Sequence, residues 1–336
     1  MRRPPYRFAI ALLIAAACQG DELPSGPGTS IAPVEQGPAA LESDTWYARA
    51  KMSAGRAGIT AATVQGVVYV IGGHLTTGDA PATDKLESYH PNTSTLLAWR
   101  NRAPMPEPRG YTNGAAVISG KIYVSGGYKT DEDGNRLRTN SLFRYDPSTN
   151  VWGTRAPMPR ATSGGATVAI DGKLYVYVAY GPDNSSGTAL YRYNPSTDKW
   201  AERAQPPAIQ SGAAAVVLGG KMYVIGGREG KAATVATVSV YNPSTNTWTG
   251  HVPLITPRAG AVARTIDGRI YVAGGATGAS ATGIPTEVYD PATGTWSEKA
   301  EIPTPRSFAA SAGVGGKLYV IGGNGGNGQA NEMYVP

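Results

Sequence analysis

The chain is poor in the residues that carry most enzyme chemistry. Its 336 residues hold one cysteine, three histidines and three phenylalanines, and only 16% are charged. A single cysteine, Cys18, allows no internal disulfide, and it leaves the body of the chain without a thiol nucleophile or a cysteine-based metal centre. His74, His90 and His251 stand in no Ser/His/Asp-like pattern, so no catalytic residue is assigned. Lysine and arginine form no basic run, and three of the arginines behind the formal charge of +6 are Arg2, Arg3 and Arg7. That distribution argues against nucleic acid as a partner. The apolar run from Phe8 to Ala17 is far shorter than the roughly 20 residues a membrane-spanning helix needs.

What is abundant is turn chemistry and tyrosine: 44 glycines, 26 prolines and 19 tyrosines suit many short strands joined by tight turns. At the N-terminus a basic start, the apolar run and then Cys18 after three alanines read as a targeting segment. It resembles a bacterial lipoprotein signal, with Ala15 where that signal usually carries a larger aliphatic residue. The resemblance implies lipidation of Cys18 and an extracytoplasmic place in the bacterial cell envelope, anchored to a membrane only through that lipid. Residues 19–43 are rich in Pro, Gly, Ser and acidic residues without hydrophobic periodicity and read as a flexible tether. The expected division is therefore a signal at 1–18, a linker at 19–43 and one domain at 44–336.

That domain is built from repeats. Gly66–Gly73, Gly120–Gly127, Gly172–Ala179, Gly220–Gly227, Gly268–Gly275 and Gly316–Gly323 share one pattern, a Gly, then Tyr-Val, then a double glycine that only the third copy lacks. Spacings near 50 residues point to a propeller. Five copies are followed by Tyr-x-Pro and then Trp, as in Tyr145 to Trp152. Trp46 precedes the first copy with no Tyr-x-Pro ahead of it, and Tyr334 follows the last with no Trp behind it. Each end supplies what the other lacks, and closing the ring removes the exposed strand edges an open stack would leave. The expected fold is an all-β, six-bladed β-propeller with four antiparallel strands per blade, the last blade closed by the N-terminal strand. In the fourth unit the strands are expected at Ala213–Leu218, Lys221–Ile225, Val235–Tyr241 and Thr247–His251. With the double glycine, Tyr and Trp at these spacings, the chain resembles a kelch-repeat propeller over residues 44–336.

The repeated Tyr and Trp residues are expected to be structural, since large aromatics dominate core energetics. Function is expected on the face carrying the second-to-third-strand loops, which differ in every unit. Eight residues past each leading glycine, that face presents His74, Tyr128, Tyr180, Arg228, Ala276 and Asn324. Arg56, Arg258 and Arg306 recur at the crossovers on the same side, with Arg109 and Arg160 slightly displaced and Gln210 in the fourth unit. Planar guanidinium groups suit carboxylate or phosphate, and the kelch resemblance implies that such arginines can bind acidic peptides. The candidate ligand residues are thus Arg56, His74, Tyr128, Tyr180, Arg228, Arg258, Arg306 and Asn324. The expected role is a monomeric binding module for a protein, peptide or glycan, with no cofactor and no metal. The acidic tip Asp131–Asn135 reads as a solvated turn, since it lacks the spacing of a helix-loop-helix calcium site. An alternative is a kelch-type sugar-acid mutarotase or epimerase using Arg228 and Glu229. Kelch-like copper radical chemistry would need a cysteine in the domain, and there is none.

Overall fold

A computed structural model describes residues 41–336 except 77–80, 181–185, 230–232, 279 and 327. The signal and most of the tether lie outside the described residues. Residues Leu41–Pro336 form one compact unit. Among the described residues there are six four-stranded antiparallel sheets, and they are the blades of a propeller. Blades one to five span residues 60–101, 115–155, 166–202, 214–251 and 262–299; blade six takes 310–335 and closes with Thr45–Ala48. The closing strand is in register, Trp46 facing Tyr334 and Tyr47 facing Met333. The first strand of each blade lies innermost and neighbours the first strands on either side, so the six ring a central channel.

Each blade's tryptophan fastens it to the blade before. Its indole N–H donates to a backbone carbonyl there: Trp99 to Ala50, Trp152 to Ala103, Trp200 to Ala156 and Trp248 to Ala204, all at 2.8 Å, and Trp296 to Val252 and Trp46 to Ala300 at 3.0 Å. Beneath each indole lies the Tyr-x-Pro tyrosine, with ring centroids 4.9 to 5.3 Å apart. In three blades the turn between them places an Asn or Asp in the left-handed region, Asn150, Asp198 and Asn246, and in blade six Asp44, just ahead of Trp46, takes the same conformation. Asn and Asp tolerate that conformation. Their side-chain oxygen accepts both the tyrosine hydroxyl and a backbone N–H of the preceding blade.

The double glycines fasten the other face. A Cβ on Gly72 would stand 2.5 Å from the Arg109 carbonyl of the next blade, so only glycine fits, and Gly73 donates to that carbonyl at 2.7 Å. Blade three has Val178-Ala179 instead. There the second strand runs on through Lys173–Tyr180, and the Tyr177 hydroxyl makes the link, accepting from Gln210 N at 2.7 Å and donating to Ala208 O at 2.8 Å. In blade four the third strand begins at Val238 rather than Val235, because Val235 and Thr237 are bonded to the double glycine. A short hairpin, Arg228–Glu229 with Ala233–Thr234, fills the loop before it.

Candidate functional site at the channel mouth

On the variable face the channel is rimmed by a closed circle of backbone hydrogen bonds. Gly58, Tyr111, Gly164, Gly212, Gly260 and Phe308, one per blade, each donate to the carbonyl of the residue before it in the circle, at 2.7 to 3.0 Å. The circle requires φ near +60°, and all six residues adopt it. Glycine does so freely; a bulky residue does not. Tyr111 at φ 46° and Phe308 at φ 53° are therefore strained positions, and such strain persists chiefly where side chains serve a function.

Both rings lie across the mouth. Tyr111 rests on Gly58, where a Cβ would meet its ring at 2.8 Å, and Phe308 rests on Gly260 and Gly212. The two rings meet edge to face at 5.0 Å. His74 stacks on Tyr111 at 5.3 Å with 16° between planes, and Tyr128 lies at 5.8 Å with 25°. Asn324 Nδ2 donates to the Tyr111 hydroxyl at 3.4 Å, and the Arg136 guanidinium sits 4.7 Å from the Tyr128 ring centre. Burial, reinforced by Arg136, holds the His74 pKa below its ordinary value, so the imidazole is neutral at physiological pH. Burial pushes the Tyr128 hydroxyl up and keeps it protonated. The result is a partly exposed aromatic shelf edged by an amide and a cation, suited to stacking and hydrogen bonding.

A family profile described as the KLHDC2/KLHL20/DRC7 kelch-repeats domain matches residues 40–205 and 212–335, well over half of the chain. The chain belongs to this kelch-repeat family. Relatives include Kelch repeat and BTB domain-containing protein 12 of Danio rerio, 31% identical over 121 residues, which are 32% of this chain and 18% of that protein. The N-acetylneuraminate epimerase of Pasteurella multocida is 34% identical over 97 residues, 28% of this chain and 25% of that protein. The chain thus covers a quarter or less of these relatives. A solved structure titled "Structure of YjhT" superposes with a TM-score of 0.72 at 21% identity, over 84% of this chain and 95% of that one, a likeness of fold.

In this kelch propeller the expected ring of loop residues lies just outside the backbone circle. His74, Tyr128, Arg228, Ala276 and Asn324 each bridge the backbone of the residue immediately before a circle member. Tyr128 is buried beneath the shelf, and Arg228 reaches across to the Gly278 carbonyl at 3.3 Å. Tyr180 ends a strand, but its side chain lies outside the described residues. The crossover arginines require a correction. Arg56, Arg258 and Arg306 are 0%, 0% and 1% exposed and do not line the mouth. They are clamped inside their blades on Glu87, Glu287 and Glu332 at 2.7, 2.5 and 2.6 Å. A buried guanidinium needs such a partner, and once paired within the blade it offers nothing to a ligand. Blade four makes the same connection without charge, Ser239 donating to Gln210 at 2.9 Å. The acidic tip closes its own turn, Asp131 accepting from Asn135 N at 2.7 Å. His251 and His90 likewise have local partners, Tyr289 and Ser88.

Tyr111 and Phe308 were absent from the expected ligand set. They lie two residues past Arg109 and Arg306, where Arg56, Gln210 and Arg258 are followed at the same distance by glycine, so aligning the copies at the crossover would have exposed them.

Proposed function

We propose that this protein is an exported recognition module that holds a glycan at the mouth of its propeller. Tyr111 and Phe308 provide the stacking surface, with His74, Asn324 and Arg228 around it and Tyr128 supporting it from beneath. The carrying observation is that two of six circle positions bear strained aromatics where glycine would be easier. Flat rings with hydrogen-bonding groups at their edge match the apolar face and peripheral hydroxyls of a sugar. Binding to a glycan array tests this with the conservative variants Tyr111→Gly and Phe308→Gly, which restore the residue other blades use. Retention should be lost from both variants while their folding is preserved. Equal retention by the variants, or none by the parent protein, would sink the reading.

Export rests on the first 18 residues. Labelled fatty acid should enter the parent protein and not Cys18→Ala. A second reading, sugar-acid mutarotase or epimerase, draws on the similarity to the Pasteurella multocida epimerase and on Arg228 and exposed Glu229 at the rim. NMR of sialic acid anomers would favour it if exchange were accelerated by the protein and lost with Glu229→Gln.

A further inference from the structure

Behind the mouth the channel holds two cavities, of about 140 and about 330 Å³. The first lies under the shelf, lined by Tyr111, Asn113 and Phe308 among others; the second extends toward the constant-turn face past Thr63, Val168 and Val217. Arg264 lines both, and it is the one charged residue among the described residues that do.

Among the described residues nothing neutralises it: none of their carboxylates lies within ion-pairing distance of Arg264, whereas Arg56, Arg258 and Arg306 each have one. Its Nη2 donates to the carbonyls of Ser311 and Ala61, while its Nε is buried without an acceptor. Desolvation pulls its pKa down to about 10, so it remains a cation at neutral pH. Arg264 is half-buried in the channel wall, and holding an unpaired charge even partly out of water is costly unless a counter-charge repays it. The repeat itself shows that the fold does not ask for this residue. Arg264 pairs with Tyr271, and the residues paired with the corresponding tyrosines in the other blades are Ala62, Ala116, Val168, Val216 and Ala312. Five blades carry Ala or Val where blade five carries an arginine.

We infer that the channel is a binding site for a small oxyanion, a carboxylate or phosphate group, held by Arg264. A guanidinium with a free, desolvated N–H matches such groups in geometry and charge. The inference goes beyond the glycan reading and stands without it, since the shelf and Arg264 are separate side chains of different blades.

The test is thermal unfolding of the full chain in rising sodium acetate or sodium phosphate, at ionic strength held constant with sodium perchlorate. A ligand bound only to the folded state raises the midpoint with the logarithm of its concentration once that exceeds Kd. The parent protein and Tyr111→Gly should both show this logarithmic rise, with acetate for a carboxylate site or with phosphate for a phosphate site. Arg264→Val, which installs the residue that blades three and four carry at this position, should fold and lose the rise. No logarithmic rise with either anion, or an equal rise in Arg264→Val, overturns the inference. Should Arg264→Val not fold, the Arg264 Nε–H resonance of the parent protein decides: it must move on titration, and an unmoved signal overturns the site. Loss of the rise in Arg264→Val with glycan retention intact would separate this site from the shelf.

Discussion

The carboxylate of Asp44 accepts the hydroxyl of Tyr334 at 2.7 Å, across 290 positions of sequence. The same oxygen accepts Ala300 N at 2.9 Å, so one residue ties the closing strand to the third strand of blade six and to blade five. Removing it strands a buried hydroxyl, at a cost of about 1–3 kcal/mol. Asp44→Ala should therefore lower the melting midpoint by several degrees in calorimetry. Deleting residues 44–51 removes Trp46 as well and should lower it much further; unchanged melting of the deletion would contradict closure by this strand.

Acid should weaken the same joints. Burial opposes ionisation of Asp44, but the Ala300 N–H, the Tyr334 hydroxyl and Lys299 outweigh it and hold the carboxyl below its ordinary pKa. Asp198 is held low by the Tyr193 hydroxyl and Ala156 N–H. A folded-state pKa below the unfolded one gives stability that is present above roughly pH 4 and lost as pH falls through the folded value. Asn already fills this position as Asn150 and Asn246. The double variant Asp44→Asn/Asp198→Asn should match the parent at pH 7 and lose less stability between pH 4 and pH 2, as read by urea midpoints.

The buried Arg258–Glu287 pair should respond asymmetrically to substitution. Glu287→Ala leaves Arg258 buried and unpaired and should cost about 3–5 kcal/mol. Arg258→Gln/Glu287→Ser copies the Gln210–Ser239 pair of blade four and should recover most of that loss. A double variant no more stable than Glu287→Ala would show that the blades do not tolerate the exchange.

At the mouth, stability and binding should part company. A left-handed conformation costs an ordinary residue about 1–2 kcal/mol, while glycine loses about 0.5–1 kcal/mol more chain entropy on folding. Tyr111→Gly should thus melt within a few degrees of the parent and above Tyr111→Ala, which keeps the strain and loses the ring. The reverse order for Gly and Ala would mean that the φ of 46° is not strained.

Much of the fold was legible because a propeller repeats its local rules. Double glycines, Tyr-x-Pro turns and tryptophans recur at fixed spacing, and Trp46 and Tyr334 each lacked what the other end supplied. The site was less legible. Spacing placed His74, Tyr128 and Asn324 near the mouth, but it also placed Arg56, Arg258 and Arg306 there, because a sequence period reports which residues are equivalent and not which way their side chains turn. Their glutamate partners lie 26 to 31 residues away on another strand.

By itself, then, the sequence determined the number of blades, the closure of the ring and the turn chemistry, all of which follow from local conformational preference and the need to pair strand edges. Only the tertiary structure decided which side chains meet. Residues from six blades converge on one channel and set Tyr111 against Phe308, while packing within the blades buries Arg56, Arg258 and Arg306 on carboxylates and leaves Arg264 charged with none in reach among the described residues.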